Sequence, residues 1–452
     1  MLRNQLQGSA APSIPGFASR IYGAYVLGIL TAVYTFSCVD RALLGIIQEP
    51  VKIEFSLTDL QLGLLGGPAF ALLYTLLGLP IARLAERSNR IAIIAVCACL
   101  WSVMTAISGL AASFAFLFAA RIGVSIGEAG CSPPATSVIA DYSPPELRAR
   151  AMSVYSLAVP FGSIIAAVGG GWIAQHYGWR NTFLWLGAPG VALAAVLWLT
   201  TREPARTTPA EEAGNFRSTM AVLARKPSYW HVAFGSALAA FVGYGVKQYL
   251  TSFLIRSHSL TLLQGATVVA VALGICSAIG VYFSGHVIYR YSKRYPRILV
   301  WLPALGLALA TPLFLLVFHL KAIGPAFTAL LLASATHVFY MGPMFAVCQG
   351  VAPPRMRATA LAVTLVLVNL IGYGLGPPVI GALSDMLANA SLAAQGITRN
   401  LCSTTTAQTT CAAALGTGLR LSMMVASCVQ LWAALHFILA MRSLKRDWSP
   451  NG

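Results

Sequence analysis

Charge is what this sequence has least of. Asp, Glu, Lys and Arg make up 10% of the 452 residues, and Asp plus Glu account for only 13. Water-soluble domains carry about 25% charged residues, so water cannot solvate most of this chain. Signatures of enzyme chemistry are missing as well. There is no His-Glu-x-x-His pair, and "GYGLG" (Gly372 to Gly376) has the wrong spacing and setting for a dinucleotide loop. "GVSIG" (Gly123 to Gly127) spells G-x-S-x-G, but that nucleophile turn needs a strand–turn–helix, whereas these letters lie inside a long apolar run. No cofactor and no metal site is expected. The formal charge of +17 does not indicate nucleic acid, because the basic residues fall in short clusters between apolar runs instead of on one patch.

What is present is apolar length. Hydrophobic residues make up 57% of the chain, and the mean hydropathy is +0.74. Runs of roughly 20 apolar residues span a bilayer. Twelve are readable, at 21–48, 60–80, 91–112, 114–139, 149–175, 181–200, 230–255, 261–285, 298–319, 323–350, 358–385 and 416–441. Backbone groups in lipid must be bonded within their own segment, so the runs are expected to be helices. The fold class is therefore all-α integral membrane. The first run is too long for the core of a cleavable leader, so none is expected. Lys and Arg orient the chain. Of 30, 21 fall on the side of the N-terminal tail, six on the other and three well inside the runs, with those near a run's end counted to its side. Positive residues collect in the cytoplasm, so both termini are expected there, in the plasma membrane if the source is bacterial.

The chain also repeats itself. "YSPPELRARAMSV" from Tyr142 matches "VAPPRMRATALAV" from Val351, with Pro144 over Pro353 and Arg148 over Arg357. Six helices per half follow. The expected layout is a tail at 1–20, a six-helix bundle at 21–200, a cytoplasmic loop at 201–229, a second bundle at 230–441 and a tail at 442–452. Two parallel repeats joined by an inner loop are the plan of major facilitator transporters. Seven of the nine cysteines lie in apolar runs. Cys402 and Cys411 lie in an outer loop of about 30 residues, where they can form a disulfide in an oxidising compartment or remain free thiols.

"GLPIARLAERSNR" (Gly78 to Arg90) resembles the major facilitator signature between helices 2 and 3, with Glu86, Arg87 and Arg90 at its charged positions. Asn89 stands where most of the superfamily has Gly, a variation like that of the Spinster family. "GEAGCSPPATSVIAD" from Gly127 and "GPPVIGALSD" from Gly376 also resemble Spinster segments. The second-half counterpart, "GHVIYRYSKRYPR" from Gly285, lacks the acidic residue. The signature reads as an inner latch, with Glu86 accepting from helix N-termini or from Arg148 or Arg150 while the inner side is shut. Alternatively, these charges only set topology.

Five charges lie well inside the runs, away from their ends: Asp40, Arg41, Arg121, Glu128 and Lys247. Each costs about 2.5–3.5 kcal/mol at mid-bilayer, so each should face a cavity or a partner. Asp40 and Arg41 are consecutive and point about 100° apart on a helix, so their partners must come from other helices. Either Asp40 meets Arg121 or Arg41 reaches Glu128, and the two arrangements read as alternative states of a switch. A static set that only fixes packing is the plainer reading. Glu128, flanked by Gly127 and Gly130 near the midplane, is the expected proton carrier, with Asp40 second. The family resemblance implies that Asp40, Arg41, Arg121 and Glu128 occupy coupling and substrate positions.

Three basic charges against two acidic ones favour an anionic head group. Tyr244, Tyr249, His337 and Tyr340 near Lys247 offer a less charged lining in the second half. An amphipathic anion fits both, and the resemblance implies lysophospholipid or sphingosine phosphate. Small organic anions or drugs are the alternative substrate, and an integral-membrane enzyme or a receptor is the remaining class. The expected partners are lipid, the substrate and protons, with the chain working as a monomer.

Overall fold

The computed structural model describes residues 20–144, 147–204, 216–397, 402 and 408–448. Among them every regular element is a helix. The first half runs α1 (Arg20–Phe55), α2 (Asp59–Gly66), α3 (Pro68–Arg87), α4 (Arg90–Ser108), α5 (Phe114–Ala129), α6 (Ser132–Tyr142), α7 (Arg148–Ser156), α8 (Ala158–Ile164) and α9 (Gly171–Thr200). After the join come α10 (Phe216–Ala224), α11 (Pro227–His258), α12 (Leu262–Val269), α13 (Ser277–Tyr291), α14 (Ile298–His319) and α15 (Ile323–His337). The chain ends with α16 (Met341–Val351), α17 (Arg357–Leu367), α18 (Gly376–Ala393), α19 (Gln408–Ala440) and α20 (Leu444–Asp447).

Ten helical stretches among the described residues are long and apolar enough to cross a membrane. One, 150–200, leaves the helix at Gly178 (φ 84°, ψ 160°), a left-handed backbone that glycine adopts without a Cβ penalty. The helix ends differ from expectation where charged residues suggest a loop. Helix α1 continues past residue 48 to Phe55, carrying Glu49, Lys52 and Glu54. The join expected as a loop at 201–229 contains α10. The outer loop expected to be about 30 residues long is shortened from both sides, because α18 continues to Ala393 and α19 begins at Gln408. Cys411 therefore stands on the first turns of α19, and it is bonded to Cys402 with the Cα atoms 5.7 Å apart.

The two prolines after Glu128 begin a helix instead of breaking one. The chain steps out of α5 at Gly130 and Cys131, and Pro133 and Pro134 sit in the first turn of α6, where no intrahelical N–H is required. Helices α4 and α5 touch so closely there that a Cβ on Gly127 would stand 2.6 Å from the Trp101 nitrogen.

Helices α1 and α11 run parallel, and Gln48 meets Gln248 (2.8 Å) and Ser252 (2.6 Å) between them. Arg20 and Pro227 therefore start at one end of the molecule, hereafter the tail end. Within the first half α4 packs on α5 and α9; within the second, α19 packs on α11, α14 and α18. The halves meet through α1 with α11, α2 with α18 and α9 with α12.

A second repeat is plain in the backbone. Ser56 and Ser259 are the two non-glycine residues with positive φ (52° and 54°) among the described residues. Each precedes a capping box, Thr58 with Gln61 and Thr261 with Gln264. The sequences "SLTDLQ" from Ser56 and "SLTLLQ" from Ser259 make the same turn in each half. Asp59 in the first copy is Leu262 in the second.

Candidate functional site

Asp40 and Arg41 leave α1 in different directions, and each finds its partner on α5. Arg121 Nη1 lies 2.8 Å and 3.1 Å from the two Asp40 oxygens, and the Thr105 hydroxyl donates to Asp40 Oδ1 at 2.7 Å. Arg41 Nε donates to Glu128 Oε2, which also accepts from the Ser37 hydroxyl at 3.0 Å. The two pairings that the sequence offered as alternatives are made at once. Seven residues separate Arg121 from Glu128, two turns of one helix face, so adjacent residues of α1 can each reach one of them.

The pairs differ in what they leave open. Asp40, Arg121 and Glu128 are buried, while the Arg41 side chain keeps 21% of its surface exposed. Glu128 Oε1 is buried and lacks a hydrogen-bond partner, as does Arg121 Nε. An unpartnered carboxylate oxygen in a dry site costs about 1–3 kcal/mol or more for a charged group, and a proton would relieve that cost.

Arg41 faces a small cavity between the halves. Its guanidinium lies over the rings of Phe70 (4.9 Å) and Tyr74 (4.8 Å). Tyr373 closes the ring set, 5.3 Å from Phe70 and 4.6 Å from Tyr244. Tyr244 and Lys247 of α11 line the cavity opposite Arg41. Among the described residues Lys247 makes no ion pair, so it is the uncompensated charge of the five.

Three residues expected to line the cavity lie elsewhere. The Tyr249 hydroxyl is bonded to the Asp59 carbonyl at 2.5 Å, away from the tail end. His337 is buried and bonded through Nδ1 to Gln430 Oε1 at 2.9 Å, with Tyr340 packed edge-on at 5.8 Å. Both are interior packing within the second half. Tyr373 lines the cavity instead, and Phe70 and Tyr74 lie against the Arg41 guanidinium; none of the three is on a helix that carries one of the five in-run charges, so no sequence signal singles them out.

At the tail end the signature charges disperse. Arg87 is exposed on the last turn of α3, and the Glu86 side chain lies outside the described residues. Arg148 donates to the carbonyls of Ala140 (3.0 Å) and Ser143 (3.3 Å). Arg90 is buried and paired with Asp141 (2.5 Å) and Glu203 (2.6 Å), all within the first half. Arg90 therefore ties α4 to α6 and to the chain after α9, and spans no gap between the halves.

Among the described residues, the polar bonds seen to join the halves gather toward the far end. Asp59 accepts from Lys52, from both terminal nitrogens of Arg256 (2.9 Å each) and from the Ser384 hydroxyl (2.7 Å). Arg256 also reaches Glu49 at 2.5 Å. Asp385 accepts the Leu60 N–H at 2.8 Å, at the start of α2, where a carboxylate suits the positive end of a helix. Lys52 and Arg256 fall just beyond the apolar runs 21–48 and 230–255, which places them in outer loops by composition; α1 and α11 instead extend past both. The "SLTDLQ" repeat marked the turn that carries Asp59.

Comparison places this geometry. The Major Facilitator Superfamily profile matches residues 30–377. An MFS-type efflux pump of Mycolicibacterium smegmatis is 33% identical over 83% of this chain and 87% of its own. Protein spinster homolog 1 of Xenopus tropicalis is 24% identical over 84% of this chain and 76% of its own. The crystal structure of a bacterial homolog of the human lysosomal transporter Spinster, inward-facing and unoccupied, superposes with a TM-score of 0.88. It is 37% identical and covers 96% of this chain and 100% of that one. The chain belongs to the major facilitator superfamily, as a multi-pass membrane transporter and not an enzyme, and within that superfamily it is similar to the Spinster proteins.

Proposed function

We propose that the protein is a proton-coupled transporter that moves an amphipathic anion, such as a lysophospholipid, by alternating access. In this reading the chain has twelve transmembrane helices, because 150–200 divides at Gly178 and α11 adds a further crossing. Residues 21–200 and 230–441 are two bundles around one site, and the basic tail end, with both termini, faces the cytoplasm. Far-end bonds between the halves then make the structure an inward-facing form, the state named for the bacterial Spinster homolog.

The observation that carries the reading is the neighbourhood of Arg41. It lies between a buried carboxylate with a free oxygen, Glu128, and a cavity holding the unpaired cation Lys247. A proton on Glu128 removes the counter-charge of Arg41. The guanidinium is then released toward the cavity, where it and Lys247 present two positive charges to an anionic head. Phe70, Tyr74, Tyr244 and Tyr373 offer the less polar body a surface. Proton and anion thus favour each other's binding, and linkage makes the effect reciprocal.

The 33% identity to an efflux pump supports a second reading, proton-coupled export of small organic molecules. Flux into proteoliposomes under an imposed pH step separates the two. Lysophospholipid, an organic acid and a lipophilic cation would compete for the labelled substrate. Competition by lysophospholipid and the acid but not the cation fits the anion reading; competition by the cation alone overturns it.

A further inference from the structure

Each half of the chain has a basic junction at the tail end, and among the described residues only the first is neutralised by acids of its own half. Arg90, the first residue of α4, is held by Asp141 at the end of α6 and by Glu203 just after α9. The second half repeats the construction with the acids gone. Asp141 and Gly350 are 209 residues apart, the same spacing that relates Arg148 to Arg357 at the starts of α7 and α17. Arg442 and Lys445 follow α19, where Glu203 follows α9.

Where the first half has ion pairs, the second half has a cleft of about 1080 Å³. Six cations line it: Lys293, Arg294, Arg297, Arg357, Arg442 and Lys445, and none of its lining residues is acidic. Arg357 Nε and Nη2 are buried and have no hydrogen-bond partner. The neighbouring acid is spent elsewhere. Asp447 accepts from the Ser228 N–H (3.0 Å) and hydroxyl (2.8 Å). Burial alone would raise its carboxyl, but the Ser228 bonds and Arg446 hold it below the usual carboxylate range, so it stays ionised facing Ser228.

The rest of the cleft is apolar. Leu299 and Leu444 are buried in its floor, with Met441 and Trp448 beside them, and Trp448 packs over Gly350, where a Cβ would meet its ring at 2.4 Å. Tyr289, Tyr291, Tyr295 and Trp301 stand exposed nearby, the side chains that collect at head-group level in a bilayer. A cationic cleft with an apolar floor at that depth suits a phosphorylated head with its glycerol and upper acyl carbons.

We infer that this cleft binds the head group of an anionic phospholipid, which supplies the negative charge that Asp141 and Glu203 supply in the first half. The site lies within the second half, apart from the cavity at Arg41, and does not depend on what is transported.

The full chain in neutral detergent would be titrated with dioctanoyl phosphatidylglycerol, dioctanoyl phosphatidylcholine and inorganic phosphate, following Tm. Phosphatidylglycerol should raise Tm with an apparent affinity at least about tenfold above that of phosphatidylcholine, a difference of about 1.4 kcal/mol. Inorganic phosphate should bind far more weakly, lacking the apolar contacts. Replacing the exposed cations together, Lys293→Gln, Arg297→Gln, Arg442→Gln and Lys445→Gln, should abolish the preference. Four exposed cations at the same end but outside the cleft provide a charge-matched control: Arg83→Gln, Arg150→Gln, Arg225→Gln and Arg355→Gln should keep it. Equal affinity for the two lipids overturns the proposal, as does an equal loss in both variants. Saturation by inorganic phosphate alone overturns the lipid assignment.

Discussion

Asp59 of α2 takes both terminal nitrogens of Arg256 in α11, each at 2.9 Å, and so fastens the first half of the chain to the second. A bidentate pair is directional as well as strong, and this one is enclosed by Lys52, Glu49 and Ser384. Removing one partner of a buried pair costs about 3–5 kcal/mol, because the other charge is stranded. Asp59→Asn should therefore open the far end. Ala42→Cys, on the cavity wall beneath, would report it in a background with the seven free cysteines replaced. An impermeant maleimide applied from the far side should label it about tenfold faster or more, the equivalent of 1.4 kcal/mol. An unchanged rate would mean that the cluster does not close the path.

The same opening should follow from a change that removes no charge. Helices α2 and α18 touch at Gly63, where a Cβ would lie 2.5 Å from the Pro377 carbonyl oxygen, a backbone atom that cannot yield by rotating. Gly63→Ala should wedge the two apart and speed Ala42→Cys labelling as Asp59→Asn does. Gly78→Ala is the control, since nothing stands within 4 Å of its Cβ. Equal rates for the two alanine variants would separate the close approach from gating.

How much of this was legible in the sequence depends on the kind of signal. Apolar length located the spans, since lipid leaves the backbone few options, and Ile298–His319 has the bounds read from composition. Asp40, Arg41, Arg121 and Glu128 were legible because charge in an apolar run has few explanations. Both pairs were legible as well, but as alternatives: helical periodicity sends Asp40 and Arg41 to different partners without saying that α5 approaches closely enough for both to be met at once. The far-end cluster was missed for the opposite reason. Glu49, Lys52 and Arg256 have ordinary loop composition, and only cross-half contact turns them into a buried network. Tyr249 and His337 illustrate the same gap, since a polar ring in a span suits a cavity or an interior bond equally well.

Orientation is testable at two exposed positions. Arg225, between α10 and α11, is at the tail end, and Lys321, between α14 and α15, is at the far end. In intact cells Lys321→Cys should react with an impermeant maleimide, and Arg225→Cys only after permeabilisation. The reverse pattern would place the basic end outside and overturn the cytoplasmic assignment of both termini.

Coupling is tested at Glu128. If a proton there releases Arg41, anion binding to the parent protein should tighten as pH falls, because the protonated carboxyl no longer competes for the guanidinium. Glu128→Gln mimics the protonated form, so its binding should be tight and independent of pH. A pH step across proteoliposomes should then fail to concentrate substrate, while exchange without a gradient persists. Asp40→Asn should also impair accumulation by leaving Arg121 without its partner, and the double variant should be no worse than the poorer single one, as expected of groups in one network. Arg41→Ala should abolish binding at every pH, since it removes the cation and strands Glu128. If Glu128→Gln retains pH-dependent binding and still accumulates substrate as the parent does, the proton is carried elsewhere. Asp40, the other buried carboxylate of the array, is then the residue to test.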